Sequence, residues 1–236
     1  MKKLITTAVI IAFGFAASAQ VSRYLEKEQS GIGIRLGTEK TYGEYGFSGQ
    51  VGGSIKGIID IEFSYTKNLY DKKKLDLLKD NVHSTLYEGW INWWVIRKQI
   101  IPVIDINLAV WGEYANGVYT DYLAPDDTTS YLYNGYNEGQ LGFELAVNFR
   151  ITNTWWVQPG FFAYYAIGQE NWDENGQKVK NNYQGLGSSI GIGVIKRLKQ
   201  NSLYFQFNQY FDSYQGSTGK YKVSIGYIIG WSKVKK

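Results

Sequence analysis

This 236-residue sequence predicts an all-β fold, a single transmembrane antiparallel up-and-down β-barrel of about ten strands, on three observations. Apolar residues alternate with polar or small ones along several segments, the period of a strand with two unlike faces. The joints between those segments alternate between short and longer, as turns and loops do at the two ends of a membrane barrel. The composition, 17% aromatic and 19% charged with 27 Gly and 3 Pro, is too aromatic and too poor in charge for a disordered chain.

Six segments alternate clearly. Ile59, Ile61, Phe63 and Tyr65 interleave with Asp60, Glu62, Ser64 and Thr66. Ile104, Ile106, Leu108 and Val110 interleave with Asp105, Asn107, Ala109 and Trp111. Leu141, Phe143, Leu145, Val147 and Phe149 do so with Gly142, Glu144, Ala146, Asn148 and Arg150. Leu186, Ile190, Ile192 and Val194 stand among Gly185, Gly187, Ser189, Gly191 and Gly193. Leu203, Phe205, Phe207 and Phe211, then Tyr221, Val223, Ile225, Tyr227, Ile229 and Trp231, complete the set. Fainter alternation at 31–37, 43–56, 84–96 and 155–169 brings the total to ten.

The joints near 56–57, 97–99, 151–154 and 198–201 are short, and those at 68–83, 115–137 and 170–182 are long, with 38–43 and 214–219 between. An even number of strands returns both chain ends to one side. A soluble β-sandwich also alternates, but it solvates its polar face. Here that face carries Gly, Ser, Ala and isolated charges, which suit a crowded interior. Aromatics gather near segment ends, at Trp93, Trp94, Trp155, Trp156, Trp231, Tyr45, Tyr65, Tyr114, Tyr165 and Tyr221, as in the two girdles at membrane interfaces.

On this pattern, with no diagnostic motif, residues 31–231 resemble small bacterial outer-membrane β-barrel proteins. The resemblance implies a monomer in the outer membrane with both termini in the periplasm. Such proteins often end on an aromatic residue; here Trp231 is followed by Ser232, Lys233, Val234, Lys235 and Lys236. Residues 1–19 read as a secretory signal peptide: Lys2 and Lys3, an apolar run over 4–15, and a small-residue cleavage site at 17–19. The expected organisation is then a 20–30 periplasmic segment, a 31–232 barrel and a basic 233–236 tail. Removing the leader takes the formal charge from +4 to +2, without the concentrated basic face a nucleic-acid binder needs. The absence of Cys excludes disulfides, thiolate metal sites and a lipid anchor on Cys, and the single His83 leaves little room for a histidine cage. No cofactor is expected.

With the apolar face outward, Arg35, Lys56, Asp60, Glu62, Glu88, Asp105, Glu113, Glu144, Arg150, Asp212 and Lys222 point into the lumen. Buried charges are costly unless paired, so they read as a salt-bridge network filling a narrow barrel. Trp90, Trp111, Trp156, Phe162 and Tyr164 would fill it further. The alternative is a cation-preferring pathway lined by Asp60, Glu62, Asp105 and Glu144.

Other candidates are weaker. His83 beside Ser84 is the one His-adjacent nucleophile, but strand neighbours face opposite ways and no hydrolase motif surrounds them. Residues 171–176 loosely match a calcium loop, but Asn182 cannot supply its closing carboxylate, and Asn175-Gly176 fits a hairpin turn. Gly185 to Gly193 lack the Lys and helix of a phosphate loop and would make room for bulky neighbours. Lys72, Lys73 and Lys74 would meet lipopolysaccharide phosphates if extracellular. Tyr119, Tyr122, Tyr131, Tyr133 and Tyr136, with Asp126 and Asp127, suggest an exposed loop surface for a glycan or protein partner. The expected role is non-enzymatic, structural or surface-interacting through the loops at 68–83, 115–137 and 170–182. The alternatives are a small porin-like channel, a lipopolysaccharide-modifying or surface-peptide hydrolase, and a secreted glycan-binding sandwich.

Overall fold

A computed structural model describes residue 25 and residues 28–125, 130–212 and 217–231. The leader, Asp126, Asp127 and the 233–236 tail lie outside the described residues. Among those described, ten strands run in order: β1 (Ser30–Thr41), β2 (Glu44–Ile55), β3 (Ile59–Tyr70), β4 (His83–Ile101), β5 (Ile104–Pro125), β6 (Ser130–Arg150), β7 (Trp155–Glu174), β8 (Gln177–Leu198), β9 (Asn201–Asp212) and β10 (Ser217–Trp231). One short helix, α1 (Lys72–Leu75), follows β3. Each strand pairs antiparallel with its sequence neighbours, and β1 pairs with β10, from Ser30 opposite Trp231 to Lys40 opposite Tyr221. The sheet closes as an up-and-down barrel, with no edge left along the paired wall.

The alternation becomes two faces. Leu36, Phe63, Leu141 and Leu186 are each more than 60% exposed on the outside, while Asp60, Glu62 and Glu144 are 0% exposed within. This inverts a soluble protein, and an apolar solvent is what the outer face fits. On β7 the outward positions run Trp155, Val157, Pro159, Phe161, Ala163, Tyr165 and Ile167, then turn polar at Gln169, Asn171 and Asp173. From Trp155 to Tyr165 the strand climbs about 25 Å at ~3.3 Å per residue and ~40° tilt, the height of a bilayer's apolar band.

The start of β1, the end of β10 and the turns at 56–58, 102–103, 151–154 and 199–200 share one end of the barrel, the terminal end. The opposite, far end is uneven. β1, β2, β3 and β9 have 12 residues, but β4 to β8 have 19 to 22. The expected 115–137 loop is therefore mostly strand, with β5 and β6 pairing as far as Pro125 opposite Ser130. The 170–182 segment is likewise a hairpin closed at Asn175 and Gly176, whose φ values of 50° and 81° suit the expected turn. Other differences are local. Lys56 sits exposed in the β2–β3 turn at φ 52°, not in the lumen. Trp93, Trp155 and Trp231 face outward, but their neighbours Trp94 and Trp156 are 4% and 6% exposed and point inward.

Candidate functional site

Buried side chains among the described residues occupy the lumen in three parts. At its middle, Arg35 Nη2 donates to Gln50 Oε1, and Gln50 Nε2 donates to Glu62 Oε2 at 2.6 Å. Ser64 Oγ donates to Glu88 Oε2, Trp90 Nε1 to Glu113 Oε2, and Trp94 Nε1 to Asp60 Oδ2 at 3.0 Å. Lys220 Nζ lies 2.9 Å from Glu39 Oε2 and Lys222 Nζ lies 3.6 Å from the same oxygen, all three side chains at most 4% exposed. Indole, amide and hydroxyl donors thus satisfy several carboxyl oxygens, and Lys220 and Lys222 supply Glu39.

Bulky rings fill the remaining width. Trp111 and Tyr164 pack with centroids 5.7 Å apart and belong to one cluster with Trp90 and Phe162. Glycines opposite them make the room, as expected of the glycine-rich β8. Tyr164 faces Gly142 on one neighbouring strand and Gly187 on the other, and Tyr204 faces Gly226.

The far end is capped. Tyr119, Tyr122, Tyr131, Tyr133 and Tyr136, all at most 9% exposed, form one cluster with Tyr70 and Leu86. Tyr122 meets Tyr70 edge-on at 5.2 Å and Tyr133 at 5.3 Å. Residues 71–82 fold over this cluster and insert Leu75, Leu77 and Val82. Asp71 caps α1 by accepting from the Lys73 and Lys74 backbone N–H groups, and Leu78 N–H donates to Leu123 O at 2.9 Å, fastening the segment to β5. Lys79 Nζ reaches Asp121 Oδ1 at 2.9 Å, and this hydrogen bond holds the exposed Asp121 carboxyl below its usual range.

The terminal end is narrowed by Leu25, which is 0% exposed among Trp156, Ile195, Tyr204 and Ile228. Its carbonyl accepts from Arg97 Nη2 at 2.6 Å.

Of the expected lumen residues, Arg35, Asp60, Glu62, Glu88, Glu113, Glu144 and Lys222 are buried inside. Asp105 and Arg150 stand partly exposed at the terminal mouth. Asp212 ends β9 by its backbone, and its side chain lies outside the described residues. The barrel also buries Glu39, Glu138, Glu170 and Lys220, which the strand limits read from sequence left out, and Glu44, which lies within the expected 43–56 strand but was not among the expected lumen groups. The expectation of exposed loop tyrosines is corrected: Tyr119, Tyr122, Tyr131 and Tyr133 turn into the cap, because the strands carrying them continue past the belt and keep an inward face. His83 does not reach Ser84 as a base would. Its Nδ1 lies 3.1 Å from Asn81 O, while Ser84 Oγ is buried 2.7 Å from Tyr70 Oη.

No protein-family model matches the sequence, and no curated protein matches it at a significant level. Among solved structures, the translocator domain of the autotransporter NalP from Neisseria meningitidis aligns with TM-score 0.50 and 11% identity, over 89% of this chain and 91% of that one. The β domain of the Bordetella autotransporter BrkA aligns with TM-score 0.50 and 11% identity, over 86% and 99%. The outer membrane protease OmpT from Escherichia coli is more distant, at TM-score 0.41 and 9% identity over 86% and 94%. At such identity the likeness is one of fold alone. The chain has the fold of bacterial outer-membrane β-barrels.

Proposed function

We propose that this chain is an outer-membrane β-barrel, exported by its N-terminal leader, that does not conduct and that presents the far end of β5–β8 as an interaction surface outside the cell. The observation that carries this reading is the contrast between a closed lumen and an extended wall. The lumen is filled and capped by the tyrosine cluster, while the wall continues beyond the apolar belt.

On β8, pairing with β9 begins at Gly187, so residues 177–186 have no strand on their outer edge among those described. Lys178, Lys180, Asn181, Asn182 and Gln184 are exposed there. An accessible strand edge with polar side chains offers backbone donors and acceptors to a partner, and its lysines discourage nonspecific pairing. The exposed Lys73 and Lys74, at the same end of the barrel, suit the phosphates of lipopolysaccharide. A catalytic role has no support from His83, whose Nδ1 meets Asn81 O while the adjacent Ser84 Oγ is buried against Tyr70 Oη. The excess of buried acids favours a second reading, a cation-preferring channel that opens when residues 71–82 withdraw.

Topology tests the surface role. The chain has no Cys, so single cysteines report cleanly. Lys180→Cys should react with a membrane-impermeant maleimide on intact cells, and Asn153→Cys, in a terminal-end turn, only after the outer membrane is permeabilised. The reverse pattern would overturn the reading.

A further inference from the structure

The terminal mouth holds a cleft of about 290 Å³ whose chemistry differs from that of the lumen above it. Among its described lining residues are four cations, Arg97, Lys98, Arg150 and Arg197, against one acid, Asp105. The buried column is the opposite, richer in acids than bases. Positive charge is therefore gathered at one end of the molecule.

The cations are held in place. Arg97 Nη2 donates to Leu25 O at 2.6 Å and Nη1 to Gly57 O at 3.0 Å. Arg197 Nη1 donates to Ser202 Oγ at 3.1 Å. The guanidinium carbons of Arg150 and Arg197 lie 4.7 and 5.3 Å from the ring centroid of Trp156, within cation–π range. Trp156 is 6% exposed, and its Nε1 is a buried donor with no hydrogen-bond partner, as are Arg150 Nε and Asn107 Nδ2.

Indole and guanidinium groups donate and cannot accept, so what satisfies them must be rich in acceptors. Unsatisfied buried donors are costly, and several cations kept close repel one another, so an oxyanion would relieve both. Guanidinium forks match carboxylate and phosphate oxygens, but a carboxylate brings a single charge to a lining with a surplus of three positive ones. A phosphate monoester carries roughly −1.5 to −2 and three strong acceptor oxygens. The volume is several times the ~30 Å³ of a water, which leaves space for an organic portion beside Leu25 and Trp156.

We propose that this cleft binds a phosphate group carried by a small soluble ester or by a lipid headgroup, with Arg97, Arg150 and Arg197 as its guanidinium clamp. Trp156 supports two of the guanidiniums and adds an N–H donor. Lys98 stands at the exposed rim and draws the anion in. The cleft keeps this geometry whether or not the barrel conducts.

The test uses the refolded full chain in non-ionic detergent, its fold checked by altered gel migration before boiling. Two probes separate the sources: glycerol 3-phosphate by calorimetry, and short-chain phosphatidic acid, with phosphatidylcholine as the zwitterionic control, by native mass spectrometry. Saturable binding of glycerol 3-phosphate assigns a soluble ester; binding of phosphatidic acid alone assigns a lipid headgroup. Arg150→Gln combined with Arg197→Gln should weaken either about tenfold or more. If that pair prevents refolding, Lys98→Gln at the rim should still lower the affinity measurably. Wild-type protein that binds neither probe, or binding unchanged in the folded variants, would overturn the proposal.

Discussion

Gly187 lies directly opposite Tyr164 across the β7–β8 ladder, and a Cβ added at Gly187 would collide with the phenol ring. Gly142, on the other side of Tyr164, leaves room in the same way for the Trp111 ring, so two neighbouring rings occupy space that two glycines leave inside the barrel. Large residues inserted into a packed interior typically cost about 1–3 kcal/mol. Gly187→Val should therefore lower the urea midpoint of the refolded protein. Residues in contact do not act independently, so the same change made in a Tyr164→Ala background should cost distinctly less. Equal costs in the two backgrounds would show that the ring and the glycine are not packed together.

Glu39 holds two lysines. Replacing it with Gln leaves Lys220 and Lys222 beside each other in a buried site, without the carboxylate that lies 2.9 and 3.6 Å from them. Breaking a buried pair costs about 3–5 kcal/mol. E39Q should approach that loss in equilibrium unfolding, whereas Lys79→Gln at the exposed, solvent-screened Asp121 pair should leave the unfolding midpoint nearly unchanged.

Glu170 introduces a pH dependence. It lies three residues beyond Ile167, the last apolar outward position of β7, and so above the belt. Burial, with the nearby Glu138 carboxylate, raises its carboxyl from 4.5 to about 7. The folded barrel then keeps a proton that the unfolded chain releases at lower pH. Stability from this group is fully present below about 4.5, falls as pH rises toward 7 and is lost above it. Glu170→Gln should flatten that part of the pH–stability curve; parallel curves for the two proteins would contradict the assignment.

The cap depends on Leu75, which is buried in the tyrosine cluster with Leu77 and Val82. Leu75→Asp places a charge there and should release residues 71–82 from the wall. Proteolysis at 72–81 should become rapid while the remaining barrel stays protected. Unchanged cleavage would mean that this segment is not fastened by its apolar contacts.

Much of the barrel was legible because its belt faces two different environments. Where the outside is apolar and the inside polar, as over 59–66 and 221–231, alternation marks each strand and its inward charges. Above the belt the outside is polar too, so over 177–186 the alternation vanishes although the strand continues. Glu39, Glu138 and Lys220 were missed for a related reason: they are in phase with Arg35, Glu144 and Lys222 but fall beyond where apolar neighbours stop.

Bulges hid the rest. Between Trp94 and Ile96 the register shifts, so the inward face passes from even-numbered Trp94 to odd-numbered Arg97. The shift between Val118 and Tyr122 likewise lets both Tyr119 and Tyr122 point inward. An unbroken period of two cannot anticipate such a change. The basic mouth also draws its arginines from β4, β6 and β8, so no local run of sequence displays it.

A filled and capped lumen is the central claim, and single-channel recording of the refolded full chain in a planar bilayer tests it most directly. With insertion confirmed by protease protection, the wild-type protein should give a flat current, and a variant lacking residues 72–81 is the one in which discrete steps would first appear. Discrete conductance steps from the wild-type protein, shifted by Glu144→Gln, would contradict the account and make the buried carboxylates the lining of a pore.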